Sequence, residues 1–173
     1  MKRRDFVISC VVTAGATMIS GCGGKERPEG MPPLAAPVKL TIMQGGQPLA
    51  DAEVQLCKKD LSSGWVIGGR TDAHGVATIF THGEFDGAPE GEYVALVRKT
   101  ERTEGTATGP EPTDPSERMK WEDRKNASAK EFSLVNPKYG DILQSDLVVT
   151  VSGKTEKTLD VGDAIHIETK LVR

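Results

Sequence analysis

One stretch, residues 71–97, limits what this chain can fold into more than any other. It alternates turn residues with short runs of β-branched and aromatic residues, in the order TDAHGVATIFTHGEFDGAPEGEYVALV. Strands of antiparallel sandwiches are separated by such turns, so the stretch predicts a strand, a loop and a second strand in an all-β domain. It contains no recognisable set of catalytic residues. The sequence therefore indicates a fold before it indicates an activity.

The segments on either side repeat this pattern. Apolar residues alternate with polar ones in residues 38–42 and 147–151, as they do in strands with one buried face. Further strands are predicted at residues 52–57, 65–70, 76–81, 157–161 and 165–171. The run 93–97 is apolar on both faces and predicts a central strand. The 19 glycines and 10 prolines also favour many short strands joined by turns.

Charge and aromatic content exclude one class of partner. The net charge is −3, and only 5% of the residues are aromatic. Proteins that bind nucleic acid need a basic patch for the phosphates and usually aromatic groups for the bases. We therefore expect no nucleic-acid partner.

The amino terminus has the features of an export signal and an anchor. A basic start precedes a short apolar run, which predicts a signal peptide over residues 1–21. Arg3 and Arg4 resemble a twin-arginine export signal, with general secretory export as the alternative. Residues 19–22 resemble the lipobox of bacterial lipoproteins, which makes Cys22 the lipidation site. Residues 22–37, rich in glycine and proline, are predicted to form a flexible tether.

The predicted lipid anchor implies where the protein is located and which cysteine remains free in the mature protein. The protein is expected in the bacterial cell envelope, held by its lipid on a membrane facing the periplasm or the exterior. Cys10 is lost with the signal and Cys22 is modified, so Cys57 is left alone and no intramolecular disulfide is possible. Cys57 lies in a predicted strand, where a small buried residue is the expected role and a redox or metal role the alternative.

Three motifs in residues 38–97 resemble those of a known family. They are QGGQPLADAEV at 44–54, RTDAHGVA at 70–77 and GEYVAL at 91–96. They are similar to motifs of transthyretin-like and carboxypeptidase regulatory-like modules, although Asp51 stands where that family has glycine. The resemblance implies an antiparallel Greek-key β-sandwich of the transthyretin/prealbumin and immunoglobulin-like type over residues 38–173. Residues 136–151 resemble the ending of lipid-anchored bacterial members.

Physical chemistry gives these motif residues structural roles. Asp72 can accept hydrogen bonds from backbone groups two residues later, and Gly75 can adopt a positive φ, so together they predict a tight turn. Tyr93 is expected to donate its hydroxyl to a neighbouring backbone carbonyl, as corner tyrosines of sandwiches do.

A metal site is the alternative for the same stretch. His74, His82 and Asp86, together with Asp72 and Glu84, could ligate a divalent ion if their loops met. Their spacing matches no established ligand pattern, so no metal and no cofactor is predicted. His166 alternates with two isoleucines of the last predicted strand and is expected to face water.

Residues 100–132 interrupt the strand pattern with an inserted loop. The sequence Asp-Pro-Ser-Glu at 114–117 predicts the start of a short helix that ends near Lys130. Trp121 lies on this helix and is a candidate contact for a protein partner or a sugar. Packing of Trp121 over the end of the sandwich is the preferred interpretation, and the partner or sugar contact is the alternative.

Three functions fit these predictions. The first is a non-catalytic, lipid-anchored envelope protein for protein interaction, adhesion or scaffolding, with the membrane, envelope proteins or glycans as partners. The second is a carbohydrate- or small-ligand-binding module that uses residues 100–132. The third is an enzyme similar to the hydroxyisourate hydrolases of the transthyretin fold. Those enzymes end in Tyr-Arg-Gly-Ser, whereas this chain ends in Lys-Leu-Val-Arg, so we expect no enzyme.

Overall fold

The computed structural model describes residues 26–60 and 64–169. The chain divides into two compact units, Met1–Met31 and Pro32–Arg173. The described residues of the first unit form a turn in which the Met31 N–H donates to the Pro28 carbonyl oxygen. Every strand and helix of the described residues belongs to the second unit.

Short strands dominate the second unit, with one α-helix between the ninth and tenth. The strands are β1 Val38–Gln44, β2 Gln47–Pro48, β3 Glu53–Cys57, β4 Ile67–Arg70, β5 Val76–Thr78, β6 Phe80–Thr81, β7 Phe85–Asp86, β8 Gly91–Arg98, β9 Thr100–Arg102, β10 Glu131–Ser133, β11 Val148–Val151, β12 Thr155–Asp160 and β13 Ile167–Thr169. The helix α1 is Pro115–Ser128, and a 3₁₀ turn covers Pro137–Gly140.

Two sheets enclose the core. One has six strands in the order β11-β8-β3-β4-β6-β7, and the other has the order β12-β1-β2, with β5 also paired to β1. Buried side chains from both sheets form one hydrophobic cluster, which includes Leu40 and Ile42 of β1 with Val54 of β3 and Val149 of β11. The prediction of an all-β sandwich with one short helix is confirmed.

One pairing departs from the predicted antiparallel arrangement. Strands β1 and β12 run parallel, with Leu40 opposite Lys157 and Ile42 opposite Leu159. The turn at residues 152–154 is not a hairpin, because it carries the chain from the six-stranded sheet to the other sheet. Period-two alternation is the same in parallel and antiparallel strands, so the sequence pattern held no information about direction.

The stretch 71–97 crosses from one sheet to the other. The predicted strand 76–81 is split at Ile79, with β5 paired to β1 and β6 paired to β4. Ile79 is fully buried between them, and its N–H donates to the Val38 carbonyl oxygen at 2.9 Å. The turn before it has the predicted geometry. Asp72 Oδ1 accepts the N–H groups of His74 (2.8 Å) and Val76 (2.9 Å), and Gly75 has φ +72°.

Strand β8 is central, as predicted. It lies between β11 and β3, and residues 93–97 are all buried. Before β1, Ala35 pairs with Ala88 and is buried, so the compact unit extends a few residues before Val38. Asp51, which stands at the family's glycine position, has φ +55°. That region is unstrained for glycine and disfavoured for L-residues, although Asp tolerates it better than most.

The last predicted strand differs from expectation. Of the described residues 165–169, Ile167–Thr169 are in a strand, and β13 belongs to a third, small sheet with the order β13-β10-β9. The Ile167 side chain is 48% exposed, so the alternating pattern does not mark a core face here. His166 is exposed, as predicted, and its ring stacks on Phe132 with centroids 4.2 Å apart.

Candidate functional site

Residues 100–132 form an arm on the sandwich, called the arm. Strand β9 leads out and β10 returns antiparallel to it, with Phe132 opposite Glu101. Strand β13 pairs with the other side of β10. The base of the arm is therefore a three-stranded sheet. Between β9 and β10 the chain makes a coil, residues 103–114, and then the helix α1.

The start of α1 follows from four consecutive residues. Asp114 is the N-cap, and its Oδ1 accepts the N–H groups of Ser116 at 2.9 Å and Glu117 at 3.1 Å. Pro115 occupies the first helical turn, where its missing N–H costs no intrahelical bond. The Ser116 hydroxyl and these N–H groups hold the pKa of the Asp114 carboxyl below its usual value. The prediction of a helix beginning at this position is confirmed.

The coil of the arm packs along its own helix. Ser128 Oγ accepts the Thr106 N–H at 2.7 Å and donates to the Thr106 carbonyl oxygen at 2.8 Å. A Cβ on Gly105 would collide with the carbonyl oxygen of Lys125, so the chain approaches the end of the helix there more closely than any other residue type allows. The arm is therefore a folded element with its own contacts.

The helix does not contribute a side chain to the core. None of its residues is buried, and Met119 is 64% exposed. Its remaining surface is mostly charged, with ion pairs between Arg118 and Glu111 and between Lys120 and Glu117. A helix inside a domain normally buries an apolar face. The surface of α1 is thus available to another molecule.

Trp121 lies against the coil of the arm. Its indole N–H donates to the carbonyl oxygen of Gly109 at 3.3 Å, and the ammonium group of Lys125 lies 5.6 Å from the ring centroid. The side chain is partly exposed. The residue therefore helps to hold the coil on the helix while leaving part of its ring accessible.

The metal-site candidates do not converge. His74 is exposed on the Asp72 turn, Asp86 is exposed in β7, and His82 is exposed with its ring 6.1 Å from that of Trp65 in an edge-to-face arrangement. Across residues 26–60 and 64–169, no three His, Cys, Asp or Glu side chains are placed to hold a metal ion together. The turns and edge strands separate these groups.

Cys57 carries a free thiol at the end of β3 and is half-buried. Burial raises the pKa of the thiol, and the nearby Arg98 guanidinium only partly offsets that rise. A thiol of this kind is mostly protonated at neutral pH and is a poor nucleophile. The environment of Cys57 is that of a packing residue.

Three predicted residues lie outside the described part of the chain. They are Arg3 and Arg4 of the export signal and Cys22 of the lipobox. Within the described residues, α1 is too short and too polar to cross a membrane, and no other helix there qualifies.

The sequence did not indicate a cleft on the outer face of the six-stranded sheet. It has a volume of about 520 Å³ and lies over β3, β4 and β6. We call it the sheet cleft and define it by Glu53, Gln55, Val66, Gly68, Arg70 and Phe80. These residues come from three strands, so no local motif could have revealed them. The one signal was the glycine pair 68–69 inside a predicted strand, since glycine in a strand often marks close backbone approach.

Comparison of the chain with protein-family models, with curated proteins and with solved structures gave no match. The fold is therefore established by the arrangement of the strands alone, and the transthyretin-like assignment stays a prediction from the three motifs.

Proposed function

We propose that this protein is a non-catalytic, lipid-anchored envelope protein whose arm contacts a protein partner. The single observation that supports the proposal is the helix α1, which is capped and folded yet buries no side chain. Binding residues occur disproportionately on loops that a rigid scaffold positions. The arm fits that description, because the sandwich and the three-stranded sheet fix both of its ends.

Site-specific photo-crosslinking in the intact protein tests the arm. A photo-reactive residue at Met119, on the exposed surface of α1, should yield a crosslinked protein of defined mass. The same residue at Leu143, which is 90% exposed on the sandwich outside the arm, is the matched control. Equal crosslinking at the two positions, or none at Met119, would overturn the proposal.

The anchor rests on the residues around Cys22 and is tested separately. Two or more acyl chains hold a protein on a membrane, whereas one chain is marginal. The wild-type chain should incorporate labelled palmitate and sediment with membranes, and Cys22→Ala should do neither. If Cys22→Ala stayed with the membranes and the wild type took up no label, the protein would not be a lipoprotein.

The enzyme alternative has its own test. Turnover of hydroxyisourate by the purified chain at a rate above that of buffer would establish a hydrolase and remove the non-catalytic proposal.

A further inference from the structure

The side chains around the sheet cleft lie on the outer face of the six-stranded sheet and are not part of the hydrophobic core. In antiparallel pairs, directly opposed residues point to the same face of a sheet. Gln55 is opposite Gly68, and Gly68 is opposite Phe80, so an amide and an aromatic ring flank a position with no side chain. In the next row, Glu53 is opposite Arg70. Val54, between Glu53 and Gln55, is buried on the core side.

Position 68 must be glycine, because the backbone of the neighbouring strand lies too close for a side chain there. A Cβ on Gly68 would meet the Val54 carbonyl oxygen. No side chain can fill the floor of the cleft without moving a strand. The concavity is therefore built into the sheet, and its volume of about 520 Å³ is in the usual range of small-molecule sites, roughly 300–1,000 Å³.

Among the described residues, the polar groups around this floor have no protein partners. Through the described ranges 26–60 and 64–169, the side chains of Glu53, Gln55 and Arg70 make no hydrogen bond or ion pair with another residue. A second cleft, at the base of the arm, differs in this respect. There Arg98 donates to the Gly140 carbonyl oxygen at 2.6 Å, and Asp141 accepts the Leu143 N–H at 2.8 Å. Of these two clefts, the sheet cleft is the one that offers a set of unused donors and acceptors.

The charge, apolar surface and hydrogen-bonding groups of the sheet cleft indicate the class of ligand that it binds. The carboxylate of Glu53 and the guanidinium of Arg70 balance in charge, which favours a ligand without net charge. Phe80 and the exposed Val66 offer an apolar surface, and the amide, carboxylate and guanidinium groups offer both donors and acceptors. A pyranose ring has one apolar C–H face and hydroxyl groups that donate and accept around its edge. We propose that the sheet cleft binds a neutral saccharide.

An extended peptide fits this surface less well. Strands β3 and β4 lie inside the sheet, and their neighbours on both sides already form ladders with them. A peptide could not add to these strands through backbone hydrogen bonds, which are the usual source of affinity in strand addition. A ligand here must be recognised by side chains, as a sugar is.

Glycan-array screening of the full chain, followed by calorimetric titration with neutral trisaccharides of glucose, mannose and N-acetylglucosamine, tests the proposal. At least one neutral glycan should bind. Gln55→Ala and Glu53→Gln, both at positions outside the core, should each weaken binding about three- to tenfold through loss of a hydrogen bond. Phe80→Ala should weaken it about tenfold or more.

Two control variants locate the site. Gln47→Ala removes an exposed glutamine outside the sheet cleft, and Trp121→Ala removes the aromatic residue of the arm. Both should bind the sugar as the wild type does. The proposal is overturned if no neutral glycan binds at millimolar concentration, if only charged glycans or peptides bind, or if binding is lost in Trp121→Ala and kept in Gln55→Ala. Thermal unfolding of each variant identifies loss of binding that comes from loss of the fold.

Discussion

The hydroxyl of Tyr93 donates a 2.7 Å hydrogen bond to the carbonyl oxygen of Pro89, four residues earlier. Both residues are buried, so we expect no water at this carbonyl when the hydroxyl is absent. The bond fixes the entry of the chain into β8, which is the strand that joins β11 to β3. Burial also raises the pKa of the Tyr93 hydroxyl above its usual value, which keeps the donor protonated.

Tyr93→Phe should lower the free energy of unfolding by about 1–2 kcal/mol, because it leaves the Pro89 carbonyl oxygen buried and unpaired. Urea denaturation of the two proteins measures the difference. The change should appear in the midpoint with little change in the m-value. A Tyr93→Phe variant as stable as the wild type would show that the hydroxyl does not stabilise the fold.

Asp72 should make stability depend on pH in the acid range. The N–H groups of Val76 and His74 hold the pKa of its carboxyl below the usual value of 3.8. The bonds to the carboxylate therefore stabilise the fold fully above about pH 4, and this contribution is lost as the pH falls through the lowered pKa. Denaturation midpoints of Asp72→Asn should fall less steeply below pH 4 than those of the wild type. Equal slopes would contradict the role of this carboxylate.

Asp51→Gly should raise the free energy of unfolding. Asp51 has φ +55°, in the left-handed region where glycine is unstrained and other L-residues are disfavoured. The gain should be about 0.5–1 kcal/mol, since glycine also loses more backbone entropy on folding. Ala50→Gly is the matched control and should not stabilise the protein, because Ala50 is not among the residues with positive φ. Thermal denaturation compares the three proteins.

Gly105→Ala should loosen the arm and leave the sandwich intact. The new methyl group collides with the Lys125 carbonyl oxygen at the end of α1. Amide hydrogen exchange should become faster in residues 103–128, with strand β8 unchanged. Gly64→Ala, where a Cβ meets no atom within 4 Å, is the control and should leave exchange in the arm as it is. Unchanged exchange in the arm of Gly105→Ala would show that this close approach does not hold the coil on the helix.

Removal of residues 104–129, the outer part of the arm, should be tolerated. Thr103 and Lys130 bond to each other across the base, with the Thr103 N–H donating to the Lys130 carbonyl oxygen at 2.9 Å. A variant that joins these two residues by Asn-Gly, a favoured two-residue hairpin turn, should keep the sandwich. Its free energy of unfolding should lie within about 1 kcal/mol of the wild-type value, because α1 buries no side chain. Loss of cooperative unfolding would show instead that the arm supports the core.

Local chemistry predicted local structure well. Asp72 with Gly75, the Tyr93 hydroxyl and the start of α1 at Asp114 each follow from hydrogen-bonding groups a few residues apart. The direction of β12 and the exposure of Ile167 did not follow, because alternation shows that a strand has two faces and not what each face meets. The sheet cleft was missed for a related reason, since only the register of three strands brings Gln55, Gly68 and Phe80 into one row.

The parallel pairing of β1 with β12 sets the order in which the sandwich can be completed. Strand β5 can pair with β1 once residue 78 has been synthesised, but the other edge of β1 waits for residues 155–160 near the end of the chain. Contacts between distant parts of a chain slow folding and leave strand edges open meanwhile. A chain truncated before residue 155 would therefore leave its first strand with an unpaired edge, which favours aggregation.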